Sequence, residues 1–241
     1  MRTNTLVPII LALCAGVACT SDPAISGFPG NQNLPSVSAF AETAPVPDDD
    51  DAADDPYIMV TPSGNVIIAG TNKRRGVELY DLQGKKIASF DSGRVNNVDG
   101  YYDEQSGTFL LAGSNRTNNQ VDVYRVTTNP VDIQLVQRFD VPFKEPYGLC
   151  VSPDYIYVGD KEGLVQAWEW DGNGPTSTFM FKTQTEGCVV DTRNNVLYVG
   201  EEMTGIWQIN LQDNSSPVLF ASVNKDQLIG DVEGLDIYNG D

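Results

Sequence analysis

The sequence predicts an all-β protein built from a repeated unit. Three observations predict it: short β-branched and aromatic runs, no helical periodicity, and a glycine-led polar cluster that returns every 41 to 46 residues. The runs Asn65–Ala69, Thr108–Ala112, Tyr155–Val158 and Val196–Val199 are bounded by Gly, Asn or Asp, as strands are. They lead into Gly70-Thr-Asn-Lys73, Gly113-Ser-Asn-Arg116, Gly159-Asp-Lys-Glu162 and Gly200-Glu-Glu-Met203. Second apolar runs follow at Val77–Tyr80, Val121–Tyr124, Val165–Trp168 and Ile206–Ile209. A landmark precedes each glycine: Asp55-Pro56, Asp99-Gly100, Tyr147-Gly148 and Glu186-Gly187, with Glu233-Gly234 opening a fifth copy. Units of this length made of short strands are β-propeller blades, and blades set round an axis bring equivalent positions to one face.

The chain opens with Met1-Arg2, an apolar run Leu6–Leu13 and the small residues Ala15–Ala18, so residues 1–18 read as a secretory signal. That run is too short to span a bilayer, and no later stretch is long enough, so no transmembrane span is expected. Gly16-Val17-Ala18-Cys19 resembles the lipobox of bacterial lipoproteins, whose cysteine is acylated. The product is therefore expected to be exported, with secreted, periplasmic and Cys19-anchored forms all open. Residues 19–41 are rich in Ser, Pro, Gly, Asn and Ala and read as a disordered tether, which leaves 42–241 for the folded domain.

Thirty-three acidic side chains against 15 basic ones give a formal net charge of −18, and there is no histidine. Ser/His/Asp and Cys/His catalysis and histidine-based zinc sites are thereby excluded. Nucleic acid is not an expected partner, because phosphate backbones need basic footprints. Of four cysteines, Cys14 and Cys19 belong to the signal region; Cys150 and Cys188 lack metal-knuckle spacing and read as small buried apolar residues. In the aligned repeats they lie one position out of register, facing opposite sides of their strands, so no bond between them is expected.

Turn chemistry accounts for Thr71-Asn72 and Ser114-Asn115. It does not account for Lys73, Arg116, Lys161, Glu162 and Glu202 at one place in the repeat, or for carboxylates Glu186 and Glu233 at equivalent strand mouths. A hard cation such as Ca2+ takes oxygen ligands from carboxylates and carbonyls, and with the acids neutralised the lysines and arginine are free to grip phosphate.

Asp54-Asp55-Pro56, Gly70–Lys73, Arg94-Val-Asn-Asn-Val-Asp99, Ser114–Arg116, Tyr147–Cys150, Lys161–Gly163, Gln184–Cys188, Glu201-Glu202 with Ile206-Trp207, and Asp231–Leu235 resemble, in order and spacing, the β-propeller phytases. The resemblance covers residues 42–241. It implies a six-bladed propeller, of which this chain holds about four blades and the first strand of a fifth, truncated at its C-terminus and a monomer when complete. It also implies calcium-dependent hydrolysis of phytate (myo-inositol hexakisphosphate), or its calcium complex, by attack of water without a covalent intermediate. By position, Glu186, Glu202, Asp231 and Glu233, with Asp54, would be the catalytic calcium ligands, and Lys73, Arg116, Tyr147 and Lys161 would bind phosphate. Glu42, Asp55 and the carbonyls of Pro56 and Val98 would seat structural calcium. The isolated 241-residue chain is expected to be a poor enzyme. A calcium-dependent lactonase-like propeller and a non-catalytic envelope propeller remain alternatives; the lysines and arginine favour phosphate over the lactonase.

Overall fold

The computed structural model describes residues 38–213, 215–224 and 228–238; the expected signal, Cys19 and most of the tether lie outside them. Four antiparallel four-stranded meanders account for all sixteen strands among the described residues, and none of these residues is helical. Blade 1 comprises β1 (Ala53–Val60), β2 (Val66–Asn72), β3 (Gly76–Tyr80) and β4 (Lys86–Asp91). Blade 2 follows as β5 (Val95–Asp103), β6 (Thr108–Asn115), β7 (Gln120–Thr128) and β8 (Val131–Asp140). In blade 3 are β9 (Pro146–Val151), β10 (Tyr155–Asp160), β11 (Leu164–Glu169) and β12 (Ser177–Met180). Blade 4 holds β13 (Thr185–Asp191), β14 (Val196–Glu201), β15 (Gly205–Asn210) and β16 (Val218–Ser222). The first strands β1, β5, β9 and β13 lie side by side in that order, which makes them the inner strands of a β-propeller.

The core is divided by blade interface. Met59, Ile67, Leu79, Val95, Phe109 and Tyr124 fill the gap between blades 1 and 2. Val121, Phe143, Leu149, Ile156 and Trp168 fill that between blades 2 and 3, and Tyr157, Val165, Phe179, Leu197 and Ile209 that between blades 3 and 4. Blades 2 and 3 are thus apolar on both faces in their middle strands, as stacking on two neighbours requires.

Every inner strand carries an irregularity at the same place. On β1, Ala53 pairs with Asn72 and Pro56 with Gly70, so Asp54 and Asp55 stand opposite Thr71 alone. Asn96-Asn97 oppose Ser114, Tyr147-Gly148 oppose Gly159, and Glu186-Gly187 oppose Gly200. Two residues against one is a β-bulge, which turns the bulged side chains out of the ladder. This register corrects the expected landmark: the residues equivalent to Tyr147-Gly148 are Asp54-Asp55 and Asn96-Asn97, not Asp55-Pro56 and Asp99-Gly100. At the bulges of blades 3 and 4 the backbone nearly touches the segment packed beside it. A Cβ on Gly148 would lie 2.0 Å from the Glu186 carbonyl oxygen, and one on Gly187 would lie 1.7 Å from that of Glu233. Glu233 therefore meets β13 as Glu186 meets β9, although residues 231–238 form no ladder: no second strand of their own blade stands beside them among the described residues.

The expectation that Cys150 and Cys188 do not pair is overturned. They form a disulfide across a Cα–Cα distance of 5.4 Å. Leu149 and Val151 face blade 2 while Cys150 faces blade 4, where Cys188 also packs. Opposite orientation keeps two cysteines apart within one sheet. Between stacked blades it brings them together, because the front of one blade meets the back of the next.

This staple joins two blades across 38 residues of sequence. Replacing both cysteines by serine is expected to lower unfolding stability by roughly 3 to 4 kcal/mol. Chemical denaturation of the oxidised wild type and the double variant measures the difference, and a free-thiol assay that finds both thiols reactive in unreduced wild type would refute the bond.

Candidate active site

Three equivalent positions in each blade converge on one end of the propeller. The first is the residue that follows the second strand: Lys73, Arg116, Lys161 and Glu202. Local turn chemistry holds three of them. Asn72, Asn115 and Asp160 end their strands and accept, through side-chain oxygens, the N–H groups of Arg74, Thr117 and Glu162 at 2.9 Å. The cation between is presented at the tip. In blade 4, Glu201 replaces this turn and is fully buried. Its carboxylate accepts from the Lys182 and Thr183 N–H groups at 2.8 Å and from Trp207 Nε1 at 2.9 Å, anchoring the approach to β13.

The second position is the first bulge residue: Asp54, Asn96, Tyr147 and Glu186, continued by Glu233. The third lies two residues earlier: Ala52, Arg94, Glu145 and Gln184, continued by Asp231. The N–H of three of the four first-position residues is tied to the carbonyl at the third: Lys73 to Ala52, Arg116 to Arg94 and Glu202 to Gln184, at 2.8, 2.8 and 3.1 Å. Glu202 returns its own carbonyl to the Asp231 and Val232 N–H groups at 2.9 and 3.1 Å. Asp231 takes a φ of +76° in this connection.

The mouth has two halves of opposite character. On one side Lys161 Nζ lies 4.5 Å and the Arg116 guanidinium carbon 5.7 Å from the Tyr147 ring centre. Arg94, Arg116 and Lys161 all approach Glu145 Oε1, at 3.7, 3.5 and 3.6 Å. On the other side are Asp54, Glu186, Glu202 and Glu233. Burial, and then the charges of Asp54, Glu233 and Glu202, push the Glu186 carboxyl up to about 8, against a 3.3 Å hydrogen bond from Asn96. Burial, followed by Asp231, Asp54 and Glu202, raises Glu233 as well.

Lys73 stands between the halves, its Nζ donating to Asp51 at 2.5 Å and lying 3.3 Å from Asp54. Burial opposes its charge, but these two carboxylates outweigh burial and raise its pKa. Burial raises Asp54 despite Lys73. Tyr147 is raised to about 12 by burial and then by Glu186, so it remains a neutral donor.

Of the residues singled out in the sequence, the structure brings Lys73, Arg116, Tyr147, Lys161, Asp54, Glu186, Glu202, Asp231 and Glu233 to this end. Asp55, Pro56 and Val98 lie below it, lining a cavity of about 380 Å³ along the inner strands with Asp99 and Asp236. Asp55 accepts from Val98 N at 2.9 Å, and burial raises it to about 7. Glu42 is not brought to either group: its backbone packs on Gly84 in the β3–β4 turn, at the opposite end of blade 1. Among the described residues, no three carboxylates are close enough to hold a metal ion as they stand.

Sequence reasoning missed Glu145, Arg94 as a member of the cationic group, Gln184, whose Nε2 donates to Glu202 Oε1, and the acidic run Asp48–Asp51. In that run Asp48, Asp50 and Asp51 pair with Arg75, Arg74 and Lys73. The signal available for the first three was their constant offset, two residues ahead of each bulge.

Four blades with a mouth split between clustered carboxylates and clustered cations define a β-propeller equipped for a multiply charged ligand. The family model described as Phytase matches residues 5–241, and the chain belongs to that family. It is 30% identical over 259 aligned positions to the 3-phytase of Bacillus subtilis (strain 168), covering 95% of this chain and 68% of that protein. Among solved structures, the computationally designed Ika8 protein superposes with a TM-score of 0.47 at 13% identity, over 72% of this chain and half of that one.

A carboxyl held near 8 in the fold against an ordinary 4.5 binds its proton in the folded state where the unfolded chain has lost it. Stability then falls as pH rises from about 5 through 8. In chelator, Glu186→Gln is expected to match wild type at pH 5 and exceed it at pH 9 by up to a few kcal/mol, each pKa unit being worth about 1.4. Melting curves at the two pH values measure this, and parallel pH profiles would refute it.

Proposed function

We propose that the protein is a calcium-dependent phosphomonoester hydrolase that releases phosphate from phytate, acting outside the cytoplasm as an exported protein. Membership of the phytase family and the 3-phytase relative support this reading. The observation that carries it is the pairing, in one mouth, of four acids with cations gathered round Tyr147.

The donor set fits calcium chemically. Asp54, Glu186, Glu202 and Glu233, with Asp231 beside them, offer only oxygen, and Glu186 ionises reluctantly because it is buried and faces Asp54, Glu233 and Glu202. These residues would hold the ions; Asp55 with the Pro56 and Val98 carbonyls would hold another below. Bound calcium would supply Lewis acidity and cancel the repulsion among the acids.

The remaining chemistry belongs to the chain's own groups. Lys161 and Arg116 bind the equatorial oxygens of a phosphoryl group, and the Tyr147 hydroxyl, neutral throughout the working pH range, donates to the same group. Lys73, at the border of the two halves, offsets the charge that develops between leaving oxygen and incoming water. Glu202 is oriented by Gln184, and Glu186 by Asn96. With no histidine available, positioning and charge stabilisation supply the rate.

Phosphate release from phytate by the full-length protein is expected with calcium and is expected to cease with chelator; no release at any calcium concentration overturns the reading. Lys73→Ala and Glu202→Ala should each lower kcat/KM by on the order of a hundredfold with the fold retained by circular dichroism. Unchanged rates would remove these residues from the site.

A further inference from the structure

The cationic half of the mouth is organised round one carboxylate with no role in the scheme above. Glu145 immediately precedes β9, and its Oε1 is the common neighbour of Arg94, Arg116 and Lys161. All three distances, 3.5 to 3.7 Å, exceed the 2.7–2.9 Å of a charge-assisted hydrogen bond. The carboxylate thus draws the cations together without saturating their donors. Arg116 shows the consequence: its side chain is only 10% exposed, yet its Nε has no hydrogen-bond partner. A buried guanidinium N–H left open is costly unless a ligand completes it.

Charge points the same way. Three cations against one carboxylate give this group of four a net charge of +2, and a phosphate group carries about −1.5 to −2 at neutral pH. Without Glu145, three cations would repel one another in the free protein and face a phosphate with one charge too many.

We propose that Glu145 is an internal counter-ion that keeps Arg94, Arg116 and Lys161 convergent and tempers their hold on phosphate, so that the released group can leave. It is a positioning residue, and it acts through the three cations without touching the reacting atoms. Arg94, at the mouth's rim and half exposed, joins the phosphate grip through it. The inference rests on the phosphate-handling reading of this mouth, but its test does not require turnover.

The experiment titrates inorganic phosphate into the full-length protein by calorimetry, in wild type, Glu145→Gln and Glu145→Asp. Removing one charge beside a partly exposed site is expected to tighten phosphate binding by roughly tenfold in the Gln variant. The Asp variant is expected to stay near wild type. In phytate turnover, the Gln variant should lower KM and kcat together and become more sensitive to product phosphate. Equal or weaker phosphate binding in a folded Gln variant overturns the proposal, as does wild type that binds no phosphate. If the Gln variant does not fold, Arg94→Gln decides: phosphate binding must weaken, and unchanged affinity overturns the convergence. Absence of phytate hydrolysis alongside the expected phosphate affinities would overturn the proposed substrate and leave the role of Glu145 standing.

Discussion

The mouth depends on a single backbone device, the bulge that sets two residues of each inner strand against one of its partner. In an unbroken ladder the side chains of β1, β5, β9 and β13 would alternate between the two blade interfaces, and none would point along the propeller axis. The extra residue turns Asp54, Asn96, Tyr147 and Glu186 toward the open end. It also makes the inner strands crowd one another, and blades 3 and 4 answer with Gly148 and Gly187, where any Cβ would collide with the next blade's backbone. Glycine is required at those two bulges, whereas the equivalent positions of blades 1 and 2 hold Asp55 and Asn97.

On this frame the charges sort by blade. In blades 1 to 3 the second strands are followed by Lys73, Arg116 and Lys161, each held by an Asn or Asp turn, while in blade 4 Glu202 follows a buried Glu201. Position is shared and chemistry is not, so an acid half and a basic half arise from one repeated scaffold. The net charge of −18 conceals this division. Lys73 is paired with Asp51 and Asp54 and Arg116 with Glu145, while the acid half resists ionisation at Glu186.

The repeat, the blade count and the convergence of Lys73, Arg116, Lys161 and Glu202 were legible because period and strand composition survive divergence between copies. The bulge register was not. Asp54 and Asn96 share no residue type with Tyr147 or Glu186, and a one- or three-residue offset cannot be seen when the neighbours are also polar. Glu145 and Gln184 precede their strands, where no alternation marks them. The reading of Cys150 and Cys188 failed for a related reason: orientation on a strand was judged as if one sheet held both, whereas pairing depends on which faces of successive sheets meet.

Because neighbouring members of the mouth come from different blades, its geometry is set by contacts between blades more than by ladders within them. Asp55 bonds Val98 N, Asp99 bonds Val151 N at 2.8 Å, and Ser114 Oγ donates to the Tyr147 carbonyl at 2.5 Å, each crossing from one blade to the next. Between blades 3 and 4 that work falls to the disulfide, one residue from Gly187 and two from Glu186. These links lie just below the charged residues, so displacement of one blade would move the cations relative to the carboxylates before it opened the apolar interface beneath. A site assembled this way tolerates change along the outer strands β4, β8, β12 and β16, and its sensitivity is concentrated in a narrow belt at the top of the inner ones.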